Sequence, residues 1–249
     1  MTTRAWDDRD ELVPGWGIGP WRMLRRRRTR PGLQAVLWDM DGLLVDTEPV
    51  WTVAEQELAE RLGGTWNDEL KAQVVGTRID VSVPTILRWY GVEPTPELVA
   101  ETTSWLMARM VDLFSAEVRV LPGVTDLLAE LTHDEIPMAL VSSSYRVLVD
   151  AVLRHGLGPF AVTVAGDEVS HGKPAPEPYL LACERLGVHP KQCVVLEDSA
   201  AGVASGEAAG CAVVAVPSVP GVDVTPGRRR IVLSSLEALD AATLRRLVS

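Results

Sequence analysis

From Leu33 onward, short apolar runs bounded by turn residues alternate with stretches whose apolar residues recur at helical spacing. The runs are Leu33–Trp38, Met138–Val141, Val162–Ala165, Cys193–Leu196 and Cys211–Val216. Continuous apolar runs of this length suit buried parallel strands, whose two faces are both covered. Between them, Val124–Leu131 (after Pro122-Gly123), Arg146–His155, Pro178–Leu186 and Ala200–Ala209 predict helices. Strand–helix alternation at this spacing predicts an α/β fold, a doubly wound parallel sheet.

One interval breaks the rhythm. Residues 48–118 carry no strand pattern and predict four helices, Pro49–Leu62, Asp68–Val74, Val81–Tyr90 and Pro96–Ser115. Pro49 and Pro96 stand where a first helical turn tolerates proline, and Gly63-Gly64 and Gly91 stand where helices end. An all-helical block inserted after the first strand reads as a lid. The expected organisation is therefore an α/β core from 33–47 and 119–249, with a helical cap at 48–118.

Composition narrows the class. The chain has 249 residues, 47% hydrophobic and 23% charged, which excludes a disordered or fibrous protein. A chain this long buries enough surface to need no disulfide or structural metal. Cys183, Cys193 and Cys211 form no metal-binding spacing and read as buried, reduced thiols of a cytoplasmic protein. No apolar run approaches the roughly 18 residues of a membrane span.

Charge is unevenly placed. The net charge is −10, yet residues 1–32 hold eight arginines against four acids, so the remainder carries −14. So acidic a body repels nucleic acid. Residues 1–32 read as a poorly ordered, Arg-rich extension; the six apolar residues Leu33–Trp38 are too few for the core of a secretory signal. The expected partner is a small molecule, with no nucleic acid or membrane involved, and the expected state is a monomer.

Ligands of open parallel sheets gather at the C-terminal ends of the strands, so the residues following each run matter most. Asp39-Met40-Asp41-Gly42 follows the first and Ser142-Ser143-Ser144 the second. Gly172-Lys173-Pro174 lies in the loop after the third, and Glu197-Asp198-Ser199 follows the fourth. These ends would converge on one crevice holding several carboxylates, hydroxyls and one ammonium. Carboxylates so crowded need a cation, and a donor set of oxygen alone selects a hard ion, Mg2+ being the natural one. Lysine, hydroxyl and Mg2+ together suit a phosphate ester. One aspartate could attack phosphorus while the other moves protons. Gly42 would let the chain turn sharply away from the strand.

In this order, Asp39-Met40-Asp41-Gly42…Asp46-Thr47-Glu48-Pro49, Val141-Ser142-Ser143-Ser144, Gly172-Lys173-Pro174-Ala175-Pro176 and Leu196-Glu197-Asp198-Ser199-Ala200-Ala201-Gly202 resemble the haloacid dehalogenase superfamily. The likeness covers residues 33–220 and is strongest to its β-phosphoglucomutase-like and sugar-phosphate phosphatase members. It implies a Rossmann-like core with a helical cap. It also implies Asp39 as nucleophile, Asp41 as general acid and base, and Ser142, Ser143 and Lys173 as phosphoryl-binding groups. Metal contacts are implied for Asp39, for the Asp41 carbonyl, for Asp198, and for Glu197 as a ligand or its outer partner. Arg78, in the break Gly76-Thr77-Arg78 between cap helices, is the expected substrate contact from the cap. The second aspartate implies hydrolysis of a phosphate ester through an aspartyl-phosphate. The alternative is a phosphosugar mutase of the same fold. The resembled mutases carry a His one turn into the first cap helix and a Lys in the last, where this chain has Trp51 and, among residues 96–115, only Arg109.

Overall fold

The structure, a computed structural model, describes residues 32–74, 77–218 and 224–249. The expectations for residues 1–31 of the extension and for Gly76 lie outside the described residues. The chain begins with β1 (Ala35–Trp38) and β2 (Val45–Asp46). Four helices follow: α1 (Glu48–Arg61), α2 (Asp68–Val74), α3 (Ile79–Trp89) and α4 (Pro96–Ala116). Next come β3 (Arg119–Val120), α5 (Val124–His133), β4 (Met138–Val141), α6 (Arg146–Leu153) and β5 (Val162–Val164). The C-terminal part is α7 (Glu177–Leu186), β6 (Cys193–Glu197), α8 (Ala200–Ala208), β7 (Ala212–Ala215), β8 (Arg230–Val232) and α9 (Ala241–Leu247).

Six strands form one sheet in the order β5-β4-β1-β6-β7-β8, with every pairing parallel. Successive side chains of each strand feed opposite faces. Val36, Trp38, Met138, Leu140, Val194 and Leu196 join the apolar cluster under α5, α6 and α9. Ala35, Leu37, Ala139, Val141, Cys193 and Val195 join the cluster under α7 and α8. Both faces are thus dry, which is why the strands read as unbroken apolar runs. The predicted α/β sheet is the observed architecture.

β1 is central, and the chain leaves it toward β4 on one side and β6 on the other. That reversal opens a crevice at the strand ends, where Asp39 begins the loop after β1. Gly42 turns that loop with φ +82, a conformation a side chain disfavours.

The helical block leaves and re-enters through a short antiparallel ladder, Val45 opposite Val120 and Asp46 opposite Arg119. Its four helices start and stop within about two residues of the expected ends. Asn67 accepts the amide of Leu70 ahead of α2, and Thr95 accepts that of Leu98 at the start of α4. Ala54, Leu58, Leu70, Ile86, Met110 and Phe114 of this block belong to the same apolar cluster as Trp38 and Leu140. Helices and sheet are therefore one continuous core on that side.

Candidate active site

Asp39 follows β1, and its amide donates to the Leu196 carbonyl at 3.0 Å, which ties the loop to β6. Its carboxylate is 93% buried, and Oδ1 accepts from Lys173 Nζ at 2.5 Å. The same ammonium donates to the Val141 carbonyl at 3.0 Å and to Glu197 Oε1 at 2.6 Å. All three donors of Lys173 are thereby used. One cation from the loop before α7 thus joins the ends of β1, β4 and β6.

Asp41, two residues on, meets the turn after β4. Its Oδ2 accepts from Ser142 Oγ at 2.8 Å and from Ser144 Oγ at 2.9 Å. Its Oδ1 is buried and has no hydrogen-bond partner among the described residues. Ser142 also accepts the amide of Ser144 at 2.9 Å, which closes the turn after β4. Ser143, expected to join Ser142 as a phosphoryl-binding group, is exposed. Its backbone carbonyl packs against Gly166, where a Cβ would come within 2.0 Å of the oxygen. Ser144 supplies the second hydroxyl on Asp41.

Glu197 ends β6 and is completely buried. Oε1 accepts from Lys173 and, at 2.7 Å, from the Tyr179 hydroxyl. Oε2 accepts from the amides of Asp198 and Ser199 and from Ser199 Oγ, at 3.1, 3.2 and 3.0 Å. The carboxylate lies against Gly202 of α8, where a Cβ would fall 1.7 Å from Oε1. Gly206 packs closely on the strand, a Cβ there coming within 3.1 Å of the Val195 side chain. Gly210 differs: it ends α8 with φ +87 and faces open space.

Asp198 comes next, with Oδ2 accepting from Ser218 Oγ at 2.6 Å. Gly42 lies against that oxygen too, a Cβ there coming within 2.2 Å. Oxygens of Asp39, Glu197 and Asp198 lie within 4.8 Å of one another.

The electrostatics follow from burial. Desolvation raises the Asp39 pKa well above its ordinary value; Lys173 opposes this, while Glu197, Asp198 and Asp41 add to it. Asp198 is pushed up to about 7 by burial and by Glu197, with Ser218 and Lys173 pulling the other way. Burial works against the charge on Lys173, but Asp39 and Glu197 outweigh it and hold the ammonium above its usual range. One ammonium is thus set against four carboxylates. The donor set is oxygen only, and a hard divalent cation would relieve the mutual repulsion of Asp39 and Asp198. The residues fit Mg2+.

Arg78 precedes α3 and reaches back to the sheet. Its Nη1 donates to the Gly166 carbonyl at 3.2 Å, and its Nε to Asp80 at 3.2 Å. The guanidinium lies on Gly172, next to Lys173. Trp51 is half-buried against the core cluster. Arg109 is held by Glu57 in a two-point ion pair at 2.6 and 2.7 Å.

Ser144, Tyr179 and Ser218 were not singled out from the sequence. Ser144 was visible in the serine run, but a run on a turn does not say which hydroxyl points inward. The other two reach the site only through the folding of distant segments.

An all-parallel sheet whose strand ends hold this carboxylate–lysine constellation defines a class of hydrolase, and residues 33–210 match the family model for haloacid dehalogenase-like hydrolases. The chain belongs to that family. It is 36% identical over 191 residues, 74% of its length, to the bifunctional riboflavin kinase/FMN phosphatase of Arabidopsis thaliana. The match covers 48% of that relative, so the chain spans about half of it. It is 34% identical over 180 residues to the phosphorylated carbohydrates phosphatase of Thermotoga maritima, covering 72% of this chain and 82% of the relative. Among solved structures, it is similar to CbbY from Rhodobacter sphaeroides in complex with phosphate. The TM-score is 0.77 at 30% identity, over 85% of this chain and 99% of that one. Among the described residues no helix is long and apolar enough to cross a membrane.

Proposed function

We propose that this chain is a Mg2+-dependent phosphatase that hydrolyses a small phosphorylated metabolite, a sugar or sugar-alcohol phosphate, through an aspartyl-phosphate on Asp39. It is a phosphoric monoester hydrolase. The observation that carries the reading is Lys173 fixed between Asp39 and Glu197 while Asp41, held by Ser142 and Ser144, keeps one oxygen without a partner among the described residues.

Asp39 attacks phosphorus with a carboxylate oxygen, forming the new P–O bond as the ester P–O bond breaks. Lys173 holds the nucleophile and faces the charge that develops on the phosphoryl oxygens. Asp41 gives a proton to the leaving oxygen from its unpartnered Oδ1, while the two serine hydroxyls keep Oδ2 in place. It then takes a proton from the water that releases phosphate from Asp39. Mg2+, when bound, neutralises phosphate charge and orients the ester. Asp39, Asp198 and the Asp41 carbonyl would hold it. Glu197, with both oxygens already engaged, orients Lys173 and the turn before α8. The helical block is the cap, and Arg78 is its substrate contact.

Two observations favour phosphatase over mutase. Trp51 offers no proton acceptor in the first cap helix, and Arg109 is committed to Glu57.

The test is release of inorganic phosphate from a panel of sugar and sugar-alcohol phosphates, in Mg2+ and in excess chelator. Activity should collapse in chelator and return with Mg2+, with Ca2+ a poor substitute because it prefers a larger, looser shell. Full turnover in chelator overturns the metal assignment. Conversion of one phosphosugar isomer to another without phosphate release establishes the mutase.

A further inference from the structure

Tyr179 is fully buried in the first turn of α7 and touches the site twice. Its hydroxyl donates at 2.7 Å to Glu197 Oε1, the same oxygen that accepts from Lys173 at 2.6 Å. The face of its ring lies beside the ammonium, with Lys173 Nζ 5.1 Å from the centroid. Lys173 is itself shared between two carboxylates, Asp39 and Glu197. Its place between them depends on how strongly each oxygen pulls.

Glu197 cannot adjust to a changed balance. Three donors fix Oε2, and Gly202 is in contact with the carboxylate. A carboxylate oxygen that accepts from a phenol has less capacity left for an ammonium. Without the phenol, the only donor left on Oε1 among the described residues is Lys173, which would be drawn toward Glu197 and away from Asp39.

We propose that Tyr179 is a positioning residue for phosphoryl transfer: by occupying part of Glu197 Oε1, its hydroxyl keeps the Lys173 ammonium on Asp39, where the phosphoryl oxygens arrive. This rests on the phosphatase reading above. The ring fills the same space with or without its oxygen, so the hydroxyl can be tested apart from the packing.

The experiment compares the full-length wild type with Tyr179→Phe in saturating Mg2+, using an aryl phosphate as probe. Thermal melting and inhibition by inorganic phosphate are measured alongside. The expected result is a kcat about five- to twentyfold lower, KM within about twofold and weaker inhibition by phosphate, because Lys173 acts mainly on the developing charge. The melting midpoint should stay within a few degrees. In a Glu197→Gln background, adding Tyr179→Phe should change kcat by less than twofold, since the oxygen it guards no longer competes for the ammonium. Wild-type kcat in Tyr179→Phe, or a loss confined to the melting midpoint, overturns the proposal. So does an undiminished kcat effect in the Glu197→Gln background. Controls with wild type and Asp39→Asn separate this from the parent reading: no Mg2+-dependent phosphate release by wild type, or full release by Asp39→Asn, overturns the phosphatase assignment itself.

Discussion

The guanidinium of Arg78, at the start of α3, donates to the backbone carbonyl of Gly166 beyond β5, at 3.2 Å. This contact joins the helical block to the loops at the strand ends, and it lies directly on Gly172, the neighbour of Lys173. The contact ties the helical block to the loop beyond β5, and under the proposed function the same cation meets the substrate. Arg78→Ala should raise KM about five- to tenfold and lower kcat less than threefold, consistent with loss of one partly exposed, charge-assisted hydrogen bond worth about 1 kcal/mol. Gly172→Ala should act in the same direction, since a Cβ would sit 3.0 Å from Arg78 Nη1. Steady-state kinetics on one phosphate ester decide it; unchanged KM in Arg78→Ala would remove Arg78 from the substrate's path.

The two aspartates should fail differently. Asp39→Asn should abolish turnover and covalent phosphorylation together, because an amide is a poor nucleophile. Asp41→Asn should keep the nucleophile and lose proton transfer, a factor of about 10² to 10⁴. With an aryl phosphate, whose leaving group needs no proton, Asp41→Asn should release about one leaving group per enzyme and then stall. Rapid-mixing kinetics show this directly. Burst-free inactivity of both folded variants would count against the division of roles.

The division between sequence and structure has a physical pattern here. Strands buried on both faces announce themselves as apolar runs, so β1, β4, β6 and β7 are legible within about two residues, and the half-buried edge strand β5 still shows through its valines. The β2–β3 ladder was not, because two residues a side are too few for any period to show. β8 was hidden by its polar start, Arg230, which lies at the sheet edge and is half-buried. Asp39, Asp41 and Asp198 follow strands within three residues and Lys173 lies in the loop after β5, so looking past each strand end picks out all four. Ser218 reaches Asp198 and Tyr179 reaches Glu197 only when segments 18 to 20 residues apart fold together, and nothing local marks either residue.

Ser218 is the clearest such case. Its hydroxyl is 2.6 Å from Asp198 Oδ2 and fixes the carboxylate proposed to face the metal. Partners of metal-ligating groups typically change affinity by about 10- to 100-fold when removed. Ser218→Ala should therefore raise the Mg2+ concentration for half-maximal activity about tenfold, while kcat at saturating Mg2+ falls less than threefold. Titrating Mg2+ against phosphate release measures both. An unchanged Mg2+ requirement would show that Asp198 is held well enough by Gly42 and the β6 backbone alone.

Glu55 in α1 gives a prediction on stability that is separate from catalysis. Burial and the nearby Glu48 push its carboxyl from 4.5 up to about 7, against a weaker pull from Lys71. Lys71 is committed elsewhere: it pairs with Glu48 at 2.5 Å and donates to Thr52 Oγ1 at 3.2 Å. The folded protein thus binds a proton on Glu55 more tightly than the unfolded chain does. Stability from this group is fully present below about pH 4.5 and is lost as pH rises to about 7, after which the cost stays constant. Glu55→Gln keeps the shape and removes the charge. Its advantage over wild type should be near zero in acid, grow across that window and level off above it. Allowing for partial solvent screening, the plateau should be about 1 to 2 kcal/mol, or a melting midpoint roughly 3 to 6 °C higher at pH 8. Glu48→Gln should shrink the effect, because it removes the repulsion and frees Lys71 for Glu55. Comparing variants at each pH cancels the titration of the carboxylates at the strand ends. A Glu55→Gln protein that melts with wild type from pH 4.5 to pH 8 would show that water or Lys71 already satisfies the Glu55 charge.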